Sequence, residues 1–324
     1  MVASNQYRSR CLSVTRTLPA PPCACSDHSR RGRLRWQNER VDRLSPFHRG
    51  LSRFHAEARA FEAVARRVAR AGAAPPVPSC PGWSVSDLVV HLGSVHRGVA
   101  HIIERRLTGP PDPSADPSFA GLPADTGDWP RPESAPNLGP LPESLADWFA
   151  EGASALEALF RSRGPDEPAW TWSREQTTGF WLRVQAIEAA VHRWDAENAL
   201  GAPRPVGAGL AADAVSHSFE VMAPWSRARS GAPPGTGERY RFRRTDIADG
   251  TGDGGDGDGD GVWTVCVDGD AVRLVRDDDP CDAEVSGTAS ELMLFLWGRL
   301  PADRLTVTGD REALDRYAVL VPPV

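Results

Sequence analysis

The chain has 324 residues, room for two ordinary domains that can each bury a sizeable core. Its 37 basic residues are all arginine, against 43 acidic ones, for a formal charge of −6; without lysine, a lysine Schiff base and a P-loop lysine are both excluded. Eight of the arginines and only two acids fall in residues 1–40, which leaves residues 41–324 at −12 and argues against a general nucleic-acid-binding surface.

Residues 1–40 are Arg-, Ser- and Pro-rich without periodicity, and they lack the apolar stretch of a secretory signal. They are expected to form a disordered basic leader, with a targeting peptide or a translation start near Val41 as alternatives. At Ser45-Pro46 an N-cap precedes proline in the first helical position, and Leu51, Phe54, Ala58, Phe61, Ala65 and Val68 recur at spacings of three and four until Gly72. A second amphipathic helix opens on the Ser84-Val85-Ser86-Asp87 capping box, carries Leu88, Leu92, Val95, Val99 and Ile102, and is expected to run to about Leu107. Residues 108–142 hold ten prolines and read as a long loop. A third helix is expected over about 143–163 and a fourth over about 179–200, ending at Gly201. Four amphipathic helices with one long connection describe a four-helix bundle, assigned to residues 41–205.

Beyond Gly201 the pattern changes. One more helix fits residues 207–223, followed by strand-like runs at 239–245, 262–267, 271–276 and 282–286. A helix at about 288–299, a strand at 304–308 and a last helix near 310–319 complete an α+β domain over 206–324. Asp249 to Gly261 is almost purely Asp and Gly. Asp256, Asp258 and Asp260 resemble the start of an EF-hand loop, but Val267 stands where its bidentate Glu belongs, so a disordered hairpin insertion is expected instead. No apolar run reaches the roughly 18 residues of a membrane span. The six cysteines, at 11, 23, 25, 80, 266 and 281, have no C-x-x-C spacing, as in a reduced, cytoplasmic protein without a disulfide framework.

The fourth helix carries the chemistry. Glu188 and His192 stand four apart, so they project from one face beside the stripe of Trp181, Val184, Ile187 and Val191, toward the bundle interior. Such a pair can give two ligands to a divalent metal, or form only a hydrogen bond on a solvated face. A third ligand would come from the second helix, where His91 and His96 flank the apolar stripe and His101 lies opposite it, on an exposed face; helical geometry does not choose between His91 and His96.

The stretch from Val77 through Cys80-Pro81-Gly82-Trp83 to His91-Leu92-Gly93, followed by Phe180-Trp181 and by Glu188-Ala-Ala-Val-His192-Arg193-Trp194-Asp195-Ala196-Glu197, resembles the mycothiol-dependent maleylpyruvate isomerase family. The resemblance extends over about residues 41–324, including Glu291 to Arg299 and Leu305 to Asp310. It implies a DinB-like four-helix bundle followed by a sterol-carrier-like α+β domain. It also implies a divalent metal, zinc by the type of donor, held by His91, Glu188 and His192 with a coordination position left open. The metal would lower the pKa of the cofactor mycothiol, a low-molecular-weight thiol. Addition of the thiolate to a conjugated cis double bond, rotation and elimination would give the trans isomer of an unsaturated oxo-acid; displacement of a leaving group would instead make an S-transferase. Arg299 matches a position where the family places an active-site arginine, a cationic anchor for an anionic small-molecule substrate, although an arginine at a helix end is also commonly a cap. Arg183 is a weaker candidate for that role. Asp195 reads either as an outer acceptor for a ligand imidazole or as the partner of a nearby arginine. Cys80 reads as structural, and Trp170 and Trp172 as core or pocket wall. The contrasting reading is a nonenzymatic small-ligand-binding or stress protein with a structural metal, or with none if His91, Glu188 and His192 fail to converge. Neither a nucleic acid nor a membrane is expected as a partner, and the sequence does not define the oligomeric state.

Overall fold

In a computed structural model, residues 45–112, 119, 121–247, 261–276 and 279–323 are described. The leader (1–40) and nearly all of the Asp/Gly run lie outside them.

Local signals set the ends of the first helices. Helix α1 (Pro46–Ala71) starts where the Ser45 side chain accepts from the His48 N–H, and it stops at Gly72, whose positive φ allows the left-handed cap. Helix α2 (Val85–Glu104) has the expected capping box, in which Asp87 and Ser84 bond reciprocally. Asp87 also accepts from the backbone and the side chain of Asn137, which pins the long loop to the start of α2. The helix ends a turn earlier than the sequence predicts, because Arg106 takes a positive φ and breaks the ladder. Helices α3 (Glu143–Ser162) and α4 (Thr178–Ala199) complete the bundle, and α1 packs most extensively on α4. Phe54, Phe61, Leu88, Leu92, Phe149, Leu156 and Ile187 are fully buried between them. At the contact of α2 with α3, a Cβ on Gly93 would fall 2.2 Å from the Trp148 ring, so only glycine allows this approach.

Past Gly201 the helical segment is longer than the sequence predicts: α5 (Ala208–His217) runs through a π turn (Ser218–Met222) into α6 (Ala223–Ser230). Ser216 and Ser218, at and beside that turn, accept from the indole N–H groups of Trp263 and Trp297. The five strands are β1 (Gly235–Arg244), β2 (Val262–Gly269), β3 (Ala271–Val275), β4 (Ala283–Gly287) and β5 (Thr306–Gly309), ordered β3-β2-β1-β4-β5. Only the β1–β4 pair is parallel. Tyr240, Phe242, Val265, Val267 and Val285 alternate onto one buried face, covered by α7 (Ala289–Leu296) and α8 (Arg311–Leu320). The whole is a helical bundle followed by an α+β unit, as expected.

Several polar junctions lie at or near the boundary of the halves, among them Arg183 of α4 on Asp213 of α5. The buried Arg193 of α4 donates to Glu57 and Glu197 and to the carbonyls of Arg204 and Pro205 in the connecting segment. Another junction, at Asp195, belongs to the candidate site.

Candidate functional site

Three side chains converge between α2 and α4. His91 on α2 places its Nε2 3.5 Å from Oε1 of Glu188 on α4, and the His91 and His192 rings meet edge to face with centroids 5.0 Å apart. One donor atom from each of His91, Glu188 and His192 lies within 4.8 Å of the other two. His91 and His192 are buried and Glu188 is half-buried, so the cluster lies just beneath the surface. Two imidazoles and a carboxylate at this spacing suit a divalent ion that takes nitrogen and oxygen ligands, with a position left for a further ligand.

Each side chain is held in place by a neighbour. Pro81 and Gly82 occupy the central positions of a turn closed by a bond from the Trp83 N–H to the Cys80 carbonyl, and Gly82 supplies the positive φ that this turn requires. The turn sets the Trp83 ring edge-on against His91 at 5.1 Å. Gln185, three residues before Glu188 on α4, donates from Nε2 to Glu188 Oε2 at 3.3 Å. Sequence reading assigned Gln185 no role, although the i, i+3 spacing on the same helix face was its signal.

His192 Nδ1 lies 3.0 Å from Asp195 Oδ2. With that carboxylate ionised, Nδ1 carries the proton and Nε2 keeps its lone pair. Asp195 is fully buried and also accepts from the Ser79 hydroxyl (2.6 Å), the Cys80 thiol (3.4 Å) and the Arg299 guanidinium (3.3 Å from Nε, 3.1 Å from Nη2). Burial pushes the Asp195 carboxyl up, but the His192 bond and the Arg299 charge outweigh it and hold it well below the usual carboxylate range. Burial likewise raises Glu188, and the bond to His91 with the nearby imidazoles more than offsets it, leaving Glu188 below its ordinary value. His192 is held below its ordinary value by burial, against the opposing pull of Asp195.

Arg299 arrives from the far half of the chain, just past α7, and its Nη1 also donates to the Trp297 carbonyl at 2.7 Å. The other candidates separate. His96 is fully buried and packs against Phe54 and Phe149; His101 is half-buried against Phe119 rather than exposed, because the loop folds back over that face of α2. Arg183 binds Asp213 and Glu220. Cys80 forms no disulfide among the described residues, Trp172 meets Phe180 edge-on and Trp225 at a tilt, and Trp170 packs on the core. Cys80, His192 and Asp195 also lie close enough to share an ion, but Asp195 already accepts from four side chains and is the poorer ligand.

Among the described residues no helix is long and apolar enough to cross a membrane. No curated protein matches the chain. Among solved structures, a crystal structure of a histidine-to-alanine mutant of the mycothiol-dependent maleylpyruvate isomerase superposes with a TM-score of 0.50 at 15% identity, covering 82% of this chain and 93% of that one. A second crystal structure of that isomerase gives 0.49 with the same identity and coverage. The first likeness is one of fold. The sequence goes further: the family model of the mycothiol maleylpyruvate isomerase N-terminal domain matches residues 54–197, and that of the corresponding C-terminal domain matches residues 209–316. With both halves matched in order over most of its length, the chain belongs to the mycothiol-dependent maleylpyruvate isomerase family, whose members are thiol-dependent enzymes.

Proposed function

We propose that the chain is a mycothiol-dependent isomerase that works with a divalent metal, zinc by the donor set, held by His91, Glu188 and His192. The observation that carries this reading is the convergence of those three donor atoms within 4.8 Å, beneath a half-open surface, in a chain of this family. Such an ion supplies Lewis acidity that lowers the pKa of a coordinated thiol toward neutrality.

The residues of the chain do the rest. Glu188 stays ionised beside its imidazole neighbours and offers a carboxylate oxygen, while Gln185 restrains the other one. His192 presents its Nε2 lone pair because Asp195 holds Nδ1, and Trp83 restrains the His91 ring. Arg299 brings a cation to the same place and would face an anionic substrate. The reaction served is cis–trans isomerisation of an unsaturated oxo-acid, with maleylpyruvate the first to try; thiol transfer to an electrophile would use the same site.

Elemental analysis of wild type beside His192→Ala tests the ligand set, coupled to isomerisation of maleylpyruvate with and without mycothiol. About one metal per chain is expected in wild type, lost in the variant together with thiol-dependent turnover. A wild-type protein still empty after incubation with zinc would refute the reading.

A further inference from the structure

We infer that Arg299 and Asp195 form a clamp through which the α+β half of the chain sets the metal affinity of the bundle. The inference rests on the ligand set proposed above. One buried carboxylate serves both sides: Asp195 Oδ2 accepts from the His192 Nδ1–H, and Oδ1 and Oδ2 together accept from Nε and Nη2 of Arg299. Two-point contact with a planar guanidinium fixes the plane of the carboxylate as well as its position. That plane decides where Oδ2 meets His192, and so the rotation and tautomer of the imidazole whose Nε2 would bind the ion.

Arg299 is itself immobilised from the α+β side. Gly298 takes a positive φ that ends α7 and turns the chain back, with the Arg299 N–H on the Leu294 carbonyl at 2.7 Å. Arg299 Nη1 donates to the Trp297 carbonyl, and the Trp297 indole N–H donates to Ser218 at the start of the π turn. An unbroken run of contacts therefore leads from the second core to His192. Arg299 is no ligand in either cluster that could hold an ion; besides Asp195 its Nη2 reaches the Cys80 sulfur there, at the longer distance of 3.7 Å, so the two-point contact with Asp195 is its main hold on the site. By thermodynamic reciprocity, metal bound at His192 strengthens the docking of the two halves by the same factor.

The test is the metal dissociation constant of the full-length protein, measured by competition with a chromophoric chelator. It is made for wild type, Arg299→Met, Arg299→Lys, Asp195→Asn, the double variant Arg299→Met with Asp195→Asn, and Cys80→Ala. Asp195→Asn is expected to weaken binding 10- to 100-fold and Arg299→Met about tenfold. Arg299→Lys, which keeps the charge but loses the two-point contact, should recover only part of that loss. The double variant should bind no more weakly than Asp195→Asn alone, because the arginine acts through the aspartate. Far-UV circular dichroism of the metal-free forms identifies any variant that fails to fold, and Arg299→Lys keeps the test open if Arg299→Met does. Wild-type affinity in Arg299→Met, or losses that multiply in the double variant, would overturn the clamp while leaving the ligand set standing. A thiolate-to-cobalt charge-transfer band in the cobalt-loaded wild type, lost in Cys80→Ala, would place the ion between Cys80, His192 and Asp195 and overturn it as well. A wild type that takes up no metal would sink the ligand set itself.

Discussion

His96 is the most exposed to test of the buried polar groups, because its protonation is written into the pH dependence of stability. Its ring is fully buried, edge-on to Phe54 and tilted against Phe149, and neither ring nitrogen meets a partner among the described residues. Burial pushes the imidazole down to about 3. In the unfolded chain the same group titrates near its ordinary value of about 6.5. Between those two values the unfolded chain binds a proton that the folded one refuses. Stability from this residue is therefore fully present above pH 6.5 and is lost as the pH falls toward 3, at about 1.4 kcal/mol per pH unit. At pH 5 the loss amounts to about 2 kcal/mol. His96→Leu removes the titration and replaces two unsatisfied nitrogens, each costing about 1–3 kcal/mol, with apolar surface. The variant should match or exceed wild type at pH 7, and its advantage should widen on acidification. Urea unfolding of chelator-treated protein from pH 4.5 to 7 measures this. Parallel stability curves for wild type and variant would refute the reasoning.

Two further substitutions test the packing that supports the site. Arg193→Met removes the guanidinium that Glu57 and Glu197 share and should cost about 1–3 kcal/mol in denaturant unfolding, since the half-buried Glu57 loses its cation and the carbonyls of Arg204 and Pro205 lose their donor, while Glu197 keeps Arg204. Gly93→Ala drives a methyl group into the Trp148 ring and should cost about 1–3 kcal/mol; a neutral result would mean that α2 and α3 are free to separate.

What could be read in advance divides by the range of the interaction. Ser45, Ser84, Asp87 and Gly72 act on backbone groups within a turn of themselves, so both ends of α1 and the start of α2 were legible almost residue by residue, while the end of α2, at the positive φ of Arg106, was not. Glu188 and His192 share a face by spacing alone, but choosing between His91 and His96 depends on how α2 rotates against α4, which the apolar stripe they both flank leaves open. That choice came from the family resemblance. The π turn at Ser218–Met222 carries no local mark; Trp297 meets it at Ser218 and Trp263 meets Ser216 just before it, from positions that depend on the folded second half. Asp195 is the instructive case. Local reasoning offered two rival partners, an imidazole one turn before it and an arginine, because a helical aspartate normally satisfies one of them. The fold gives it both, since the loop after α7 delivers Arg299 from 104 residues away to the same two oxygens. A buried carboxylate next to a neutral imidazole needs a cation to stay ionised, and the bundle supplies none at that point among the described residues. The second half of the chain therefore supplies the cation beside the carboxylate that holds His192, and a dependence of that kind appears only once both halves are folded.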